Sequence, residues 1–250
     1  LIDADILAYQ IASACQKAVE WQPDLWCVWG DLREAKPAID ERLSSLMSLL
    51  KADHMILALT DSAENWRKQV LPTYKSNRKK VVKPFLLKSL REYLTETYDT
   101  FQRPTLEGDD VLGILSTSDV IVSGEKVVVS LDKDLKTIPG LLYNDGKRKR
   151  YNISTEEADY WHMYQTLIGD TTDGYKGCPG IGPVAAKRLL DPIKEGGWST
   201  AVAWEKIVET YKKKGLGIQE ALRQAQVARI CRTSEYDFKK KKVIPWTPPN

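Results

Sequence analysis

Apolar residues in the first half of the chain fall into short blocks, each followed by a stretch with helical periodicity. Leu1-Ile2 ahead of Asp3 reads as the end of a strand, and Ile6 to Cys15 as a helix. Leu43, Leu46, Met47 and Leu50 recur at the three- and four-residue spacing that lines one helix face, and Pro37 suits that helix's first turn. Met55 to Thr60 predicts a buried strand ending at Asp61. Pro84 opens a helix through Leu94, and Leu106 to Leu115 predicts another. Val127 to Leu131 is the clearest strand, ending at Asp132. Strands alternating with helices predict an α/β fold, a central, mainly parallel sheet flanked by helices and joined by right-handed crossovers.

After about Asn152 the strand pattern fades. Thr155–Ile168, Val184–Leu190, Thr200–Tyr211 and Ile218–Ile230 all carry helical periodicity. The expected organisation is an α/β core over 1–152, containing a basic segment at 62–84. A helical region over 153–238 follows, with a glycine-containing turn within 169–191. Residues 239–250, with four lysines and three prolines, read as a basic extended tail.

Composition changes this picture in one respect. The chain has 250 residues and a formal net charge of only +3. Its basic residues nevertheless come in five runs: Arg67-Lys68, Lys75 to Lys83, Lys147 to Arg150, Lys212 to Lys214 and Lys239 to Lys242. One such run is an ordinary solvated face, whereas five point to a polyanionic partner. Cys15, Cys27, Cys178 and Cys231 lack metal-ligand or framework spacing and read as reduced cytoplasmic thiols. His54 and His162 have no companion at ligand spacing and read as structural or surface residues. No apolar run approaches membrane-spanning length, so a soluble protein is expected. The eight tryptophans read mostly as core or amphipathic surface.

The acids carry the chemistry. Asp3, Asp61 and Asp132 each follow a predicted strand, and in open parallel sheets ligands bind beyond the carboxyl ends of the strands. Glu107, Asp109 and Asp110 fall in the first turn of a predicted helix. Asp134 follows Asp132 by two residues, and Asp170 and Asp173 close the Thr155–Ile168 helix. Any one of these alone is an ordinary cap. Nine together repel one another unless divalent cations sit among them. Two hard cations in all-oxygen ligation would resolve the repulsion and supply Lewis-acid catalysis of an in-line displacement. Setting nine of the 34 acids aside leaves 25 against 37 Lys and Arg, a surplus that suits a polyanionic substrate.

Seven Lys or Arg lie between positions 67 and 83. Of these, Arg67 and Lys75 are placed to contact a phosphate, and Lys75 or Arg78 to offset charge on it in the transition state. The alternative is an exposed charged loop. Gly180 and Gly182 precede a helix containing Lys187; closely spaced glycines let backbone N–H groups approach a phosphate without reading bases.

Four stretches in this order resemble the structure-specific 5′-nuclease superfamily, which includes flap endonucleases, and most of all the 5′-to-3′ exonucleases of short-tailed bacteriophages. They are Thr60-Asp61-Ser62 through Tyr74-Lys75 and Arg78; Leu106 to Val111; Asp132 to Pro139; and Gly169 to Tyr175. Ala228 to Arg232 with Glu235-Tyr236 resembles the phage branch alone. The resemblance implies a PIN-like α/β fold and a magnesium-dependent 5′-to-3′ exonuclease, with manganese as a substitute. Its substrate would be duplex DNA with a 5′ end, extending to RNA in hybrids, and its products would carry 5′-phosphates. It also implies one metal around Asp3, Asp61, Glu107, Asp109 and Asp110, and a second near Asp134, Asp170 and Asp173, with Asp132 close to both. Lys75 and Arg78 match the catalytic basic residues at the base of the family's arch, alongside Asp109 and Asp132 at the metals. Arg67, Tyr74, Lys79, Lys80, Gly180, Gly182 and Lys187 join them in holding DNA, and the resemblance implies a potassium ion on carbonyls of the glycine turn. A monomer acting in the infected bacterial cytoplasm is the expected setting. Many relatives have Gly where this chain has Asp5, which makes Asp5 an additional outer acid. Lys79 to Pro84 is short for a full helical arch, which favours exonuclease over endonuclease action.

Two other readings stand beside this one. Asp3 could be the nucleophile of a haloacid-dehalogenase-type phosphatase, with Thr60 and Asp170 in support, but that chemistry has no use for five basic runs. Alternatively the chain is a DNA-binding module without catalysis, its acids serving as caps.

Overall fold

Three of the apolar blocks become adjacent parallel strands in the computed structural model, which describes residues 1–80 and 82–249. Strand β1 (Ile2–Asp3) runs into helix α1 (Ala4–Ala14), and a hairpin of β2 (Gln16–Gln22) and β3 (Leu25–Gly30) follows. Helix α2 (Leu32–Leu50) leads to β4 (Leu57–Ala58), the short α3 (Arg67–Val70), α4 (Leu87–Thr97) and β5 (Thr100–Phe101). Helix α5 (Gly108–Ser116), β6 (Val127–Ser130), β7 (Gly140–Asn144) and β8 (Lys149–Ile153) complete the sheet region. The sheet order is β5-β4-β1-β6-β7-β8, parallel throughout except for the β7–β8 pair. Ile2 pairs with Leu57 on one side and Val129 on the other, so β1 is central and buried. Parallel strands end on the same side, which brings Asp3, Thr60 and Asp132 to one edge.

Helices α1, α2 and α4 cover one face through Leu7, Ile39, Leu43, Leu90 and Leu94. Helix α5 covers the other through Val111, Leu112, Ile114 and Leu115. Helices α6 (Thr155–Ile168), α7 (Pro183–Glu195), α8 (Thr200–Lys213) and α9 (Ile218–Ala228) enclose a third core around Met163, Leu167, Leu190, Ile207 and Tyr211. The return segment after α9 packs Ile230 and Cys231 into the sheet-side core.

Several expectations need correcting. Pro37 lies inside α2, not in its first turn; the helix starts at Leu32, capped by Asp31. The basic run Lys147 to Arg150 sits, exposed, on the turn and start of a hairpin, β7–β8, that the pattern did not predict. The β2–β3 hairpin was not expected either, and it leaves Trp21 and Trp26 largely exposed. The tail is strapped down: β9 (Tyr236–Asp237) pairs with β10 (Lys242–Val243), and Trp246 is buried against Trp204 and His162.

One buried cation ties these parts together. Arg67, only 3% exposed, uses all five guanidinium N–H directions. Its Nε donates to the Val227 carbonyl at 2.9 Å, and Nη1 donates to Glu107 at 2.9 Å and Asp110 at 2.7 Å. Nη2 donates to Asp110 at 2.8 Å and to the Arg229 carbonyl at 2.6 Å. Asp110, fully buried, also accepts from the Trp66 indole and the Cys231 N–H. Burial opposes the charge on Asp110, but Arg67 beside it outweighs burial and holds the carboxyl below its usual range.

Replacing Arg67 by Met strands the Asp110 charge, and breaking a buried pair in this way costs about 3–5 kcal/mol. Urea unfolding should show that loss, with Arg67→Lys only partly restoring stability; a loss below about 1 kcal/mol, the range of exposed pairs, would refute the assignment. His162 gives a second test. It is buried, its Nε2 sits 2.8 Å from the Ala225 carbonyl, and burial, reinforced by Arg229 and Arg232, holds its pKa well below 6.5. The unfolded chain therefore binds a proton below about pH 6.5 that the folded chain refuses, so stability falls as pH drops through that value. The stability advantage of the native protein over His162→Gln should shrink by up to about 1.4 kcal/mol per pH unit between pH 6.5 and 5. A constant difference would show that His162 does not carry this dependence.

Candidate active site

The C-terminal edge of the sheet opens into a cavity of about 280 Å³. Asp3, at the end of β1, accepts the Ile6 N–H at 3.2 Å and so caps α1. Its other oxygen accepts from the Ser130 hydroxyl at 2.8 Å, and Ser130 in turn accepts the Asp132 N–H at 3.1 Å. Asp132 accepts the Asp134 N–H at 2.8 Å. One serine thus sets two of the acids. On the opposite wall an antiparallel bridge between Asp170 and Tyr175 closes the loop carrying Asp170 and Asp173, and Asp170 accepts the N–H groups of Thr172 and Asp173. Gly169 (φ +68°) and Gly177 (φ +64°) lie back to back at its neck, where a Cβ on either would meet the other's chain within 2.5 Å. Asp3 thus caps a helix and lines the cavity at once, and Asp132 and Asp170 shape their own turns while lining it.

Seven of the nine expected ligands line this cavity: Asp3, Glu107, Asp109, Asp132, Asp134, Asp170 and Asp173. Asp110 does not, because it faces backwards onto Arg67. Asp61 does not either; its oxygens accept the Ala63 and Thr105 N–H groups, shaping the loop after β4. Arg67 is sealed in the interior and has no donor left for a phosphate. The Tyr74 ring is buried as well, and its hydroxyl is shared between Glu107 at 2.9 Å and Asp173 at 2.8 Å, so it braces the wall and does not face a substrate.

Lys75 and Arg78 do enter the cavity. Lys75, held in the left-handed region (φ +53°), donates from its backbone to the Asp173 carbonyl at 2.8 Å. Its ammonium bonds Glu107 and lies 3.5 Å from Asp173. Arg78 reaches Asp173 at 2.5 Å and the Thr172 carbonyl at 3.2 Å. The side chains of Lys79 and Lys80 lie outside the described residues. Gly180 (φ +75°), Gly182 and Lys187 are exposed at the start of α7 and do not line the acidic cavity.

Charge compensation divides the acids into two groups. Burial pushes the Glu107 pKa up, but Arg67 and Lys75 together pull it below its usual value. At Asp109 the balance is reversed: burial, then Asp3 and Asp132, drive its pKa well upward, and Lys75 offsets only part of that rise. Burial likewise raises Asp3 to about 6, with Asp5 and Asp132 adding to the rise and the Ser130 bond opposing it. Asp134 is raised to about 7 by burial and by Asp132, Asp170 and Asp173. Among the described residues no three acids already converge as a finished ion cage. The unmatched negative charge and all-oxygen donor set nevertheless fit hard divalent cations.

Three contributors escaped sequence reasoning. Ser130 carried no signal beyond its place at a strand end. Thr60 was read as a strand end opening a motif and as support for a phosphatase, not as a brace of the acidic turn, yet its hydroxyl accepts the Gly108 N–H at 2.8 Å, immediately before Asp109. Lys133, 3.7 Å from Asp170, partly offsets the far wall. Asp5 was expected as an outer acid. It lines the cavity, accepts the Thr60 N–H at 2.8 Å and pairs with Arg91 at 3.1 Å.

Comparison with known proteins agrees with this architecture. Residues 1–156 match the family described as 5′-3′ exonuclease, N-terminal resolvase-like domain. An exodeoxyribonuclease of Enterobacteria phage T3 is 33% identical over 99% of this chain and 92% of its own length. A phage T5 protein co-crystallised with metal ions shares the fold with a TM-score of 0.68 at 14% identity, covering 91% of this chain and 87% of that one. A T5 flap endonuclease, solved as a pseudo-enzyme-product complex with DNA and metal ions, superposes with a TM-score of 0.62 at 18% identity, covering 77% and 79%. These matches displace both the phosphatase and the non-catalytic binding module. On the match over its first 156 residues and its near full-length similarity to a phage exodeoxyribonuclease, this chain belongs to the 5′-3′ exonuclease family and is a 5′-to-3′ exonuclease.

Proposed function

We propose that the cavity hydrolyses phosphodiester bonds of duplex DNA from a 5′ end, with divalent cations held among its carboxylates. The observation that carries this reading is the cluster of carboxyls lining one cavity at the sheet edge, among them Asp3, Asp109 and Asp134, beside the cationic side chains of Lys75 and Arg78. Asp3, Asp109 and Asp132 would hold one ion, and Asp134, Asp170 and Asp173 the other. Magnesium is the expected ion and manganese a substitute, given the all-oxygen ligands. Bound there, such ions supply Lewis acidity toward water and the leaving oxygen. The T5 neighbours that hold metal ions and DNA support the same assignment.

The chain's own groups do the remaining work. Lys75, which bridges Glu107 and Asp173, and Arg78, which pairs with Asp173, are the side chains placed to exchange those carboxylates for the scissile phosphate and to balance its extra charge in the transition state. Tyr74 keeps Glu107 and Asp173 at a fixed separation while they do so. Away from the chemistry, the exposed turn at Gly180 and Gly182 offers backbone N–H groups at the start of α7, with Lys187 one turn on, to grip the DNA backbone without regard to sequence. A potassium ion on the carbonyls of this turn, action on RNA in hybrids, 5′-phosphate products and a monomeric enzyme in the infected bacterial cytoplasm belong to the same proposal.

A duplex labelled at one 5′ end and at the opposite strand's 3′ end separates direction from metal dependence. Early release of the 5′ label, only with magnesium, is expected; loss of the 3′ label first, or cleavage in a chelator, would overturn the reading. Asp109→Asn should abolish cleavage while DNA is still retained in a gel shift. Lys75→Ala should lower the single-turnover rate roughly 100-fold, the scale of a lost transition-state donor. If Lys75→Ala weakens only affinity, Lys75 is a backbone contact.

A further inference from the structure

The phage-branch motif Arg229–Arg232 with Glu235 lies outside the cavity and outside the matched residues 1–156, yet it is bonded to Arg67 and Asp110 behind the Glu107–Asp109 turn and to Thr137 in the turn that begins at Asp134. The geometry points to Asp159, Arg229, Arg232 and Glu235 as a clasp of positioning residues that sets the carboxylates of the nuclease site from behind. This inference rests on the metal-dependent reading above.

Glu235 accepts from the Arg229 Nε at 2.9 and 3.1 Å and from the Arg232 backbone N–H at 2.7 Å. Asp159, in α6, accepts from Arg232 at 2.6 Å and lies 3.6 Å from Arg229. The four side chains range from 7% to 21% exposed, so the network is partly desolvated and sensitive to the loss of any member. Its connections lead in two directions. Along the return segment, the Arg229 carbonyl takes the Arg67 guanidinium at 2.6 Å, and the Cys231 N–H donates to Asp110 at 3.1 Å. Arg67 carries that constraint to Glu107, beside Asp109. In the other direction Arg232 donates to the Thr137 carbonyl at 3.3 Å, in the short helical turn that begins at Asp134.

Helix α5 is built to receive this segment. A Cβ at Gly113 would stand 2.3 Å from the Cys231 carbonyl oxygen, so glycine there lets the return segment lie directly on the helix that presents Asp109. A network needed only for stability could be replaced by apolar packing of similar shape. This one instead joins α5, which presents Asp109, the turn that begins at Asp134, and α6, which leads into the Asp170 loop.

Asp159→Asn and the milder Arg232→Lys test the clasp, with Asp159→Glu as the conservative rescue and Asp191→Asn as the control for stability alone. Asp191, in α7, accepts from the Tyr160 hydroxyl of α6 at 2.6 Å but is bonded to no member of the clasp. Loss of a group that orients metal ligands from behind typically costs 10- to 100-fold in metal affinity or activity. Asp159→Asn should therefore weaken Mn²⁺ binding, measured by calorimetry without DNA, by about tenfold. It should also lower the single-turnover rate at saturating DNA by about tenfold while leaving KM for DNA within about twofold. Asp159→Glu should recover both, and Asp191→Asn should change neither, even at an equal loss of Tm. If Asp159→Asn does not fold, Arg232→Lys, which keeps the charge, reads the same two quantities. Native Mn²⁺ affinity and rate in a folded variant with lowered Tm would overturn the clasp. A native chain that neither binds Mn²⁺ nor cleaves DNA would overturn the metal-dependent reading, and the clasp with it.

Discussion

A guanidinium removed from water is tolerated only where every donor finds an acceptor and the charge finds a counter-ion. Arg67 meets both conditions by drawing together Asp110 and Glu107 of the α5 turn and two carbonyls of the 227–229 segment. A lysine in its place would offer three donors on a point charge and could not span these acceptors. The link fixes where α5 starts and therefore where Asp109 points. It also makes the C-terminal return part of the nuclease core, because Asp110 without Arg67 and Cys231 would be a buried charge with little support.

The same first turn of α5 shows how one short acidic motif serves two opposite purposes. Consecutive helical residues point about 100° apart. Asp110 turns inward and is neutralised by Arg67, whereas Asp109 turns toward the cavity, where burial and neighbouring acids leave its charge unmatched. Glu107 stands between these roles, bonded to Arg67, Tyr74 and Lys75. The repulsion that makes the cavity a cation site is therefore confined to a few carboxyls, and their immediate neighbours are held firmly.

Much of this was legible in the chain, for identifiable reasons. Asp3 and Asp132 could be placed because each ends an apolar run, and parallel topology brings such ends together. The helices of the second half followed from periodicity, with Thr155–Ile168 matching at both ends. The roles of Arg67 and Asp110 were misread because charge was equated with exposure. Asp110 in fact sits in the same helical stripe as Val111, Ile114 and Leu115, and an acid in an apolar stripe implies a buried cation. The hairpins were missed although Pro23-Asp24 and Asp145-Gly146 are turn signals flanked by β-forming residues. Asp61 looked like its neighbours in sequence, but its oxygens are spent on the loop after β4. The roles of Ser130 and Thr60 were not legible, since a hydroxyl's value here depends on which carboxylate or N–H the fold brings to it.

Lys75 and Arg78 show why such a cavity can fold at all. A set of carboxylates at a sheet edge destabilises the chain that carries it, and the fold offsets part of that repulsion with cations mounted on a neighbouring loop. The left-handed backbone at Lys75, bonded to the Asp173 carbonyl, holds this loop against the far wall. Placing the compensating charges on a segment separate from the sheet lets them pair with carboxylates or with an incoming anion, without disturbing the strands that position the acids. That compensation is incomplete at Asp3 and Asp109, where burial and neighbouring acids outweigh it, so the demand for a cation is concentrated where β1 and α5 bring these two carboxyls together.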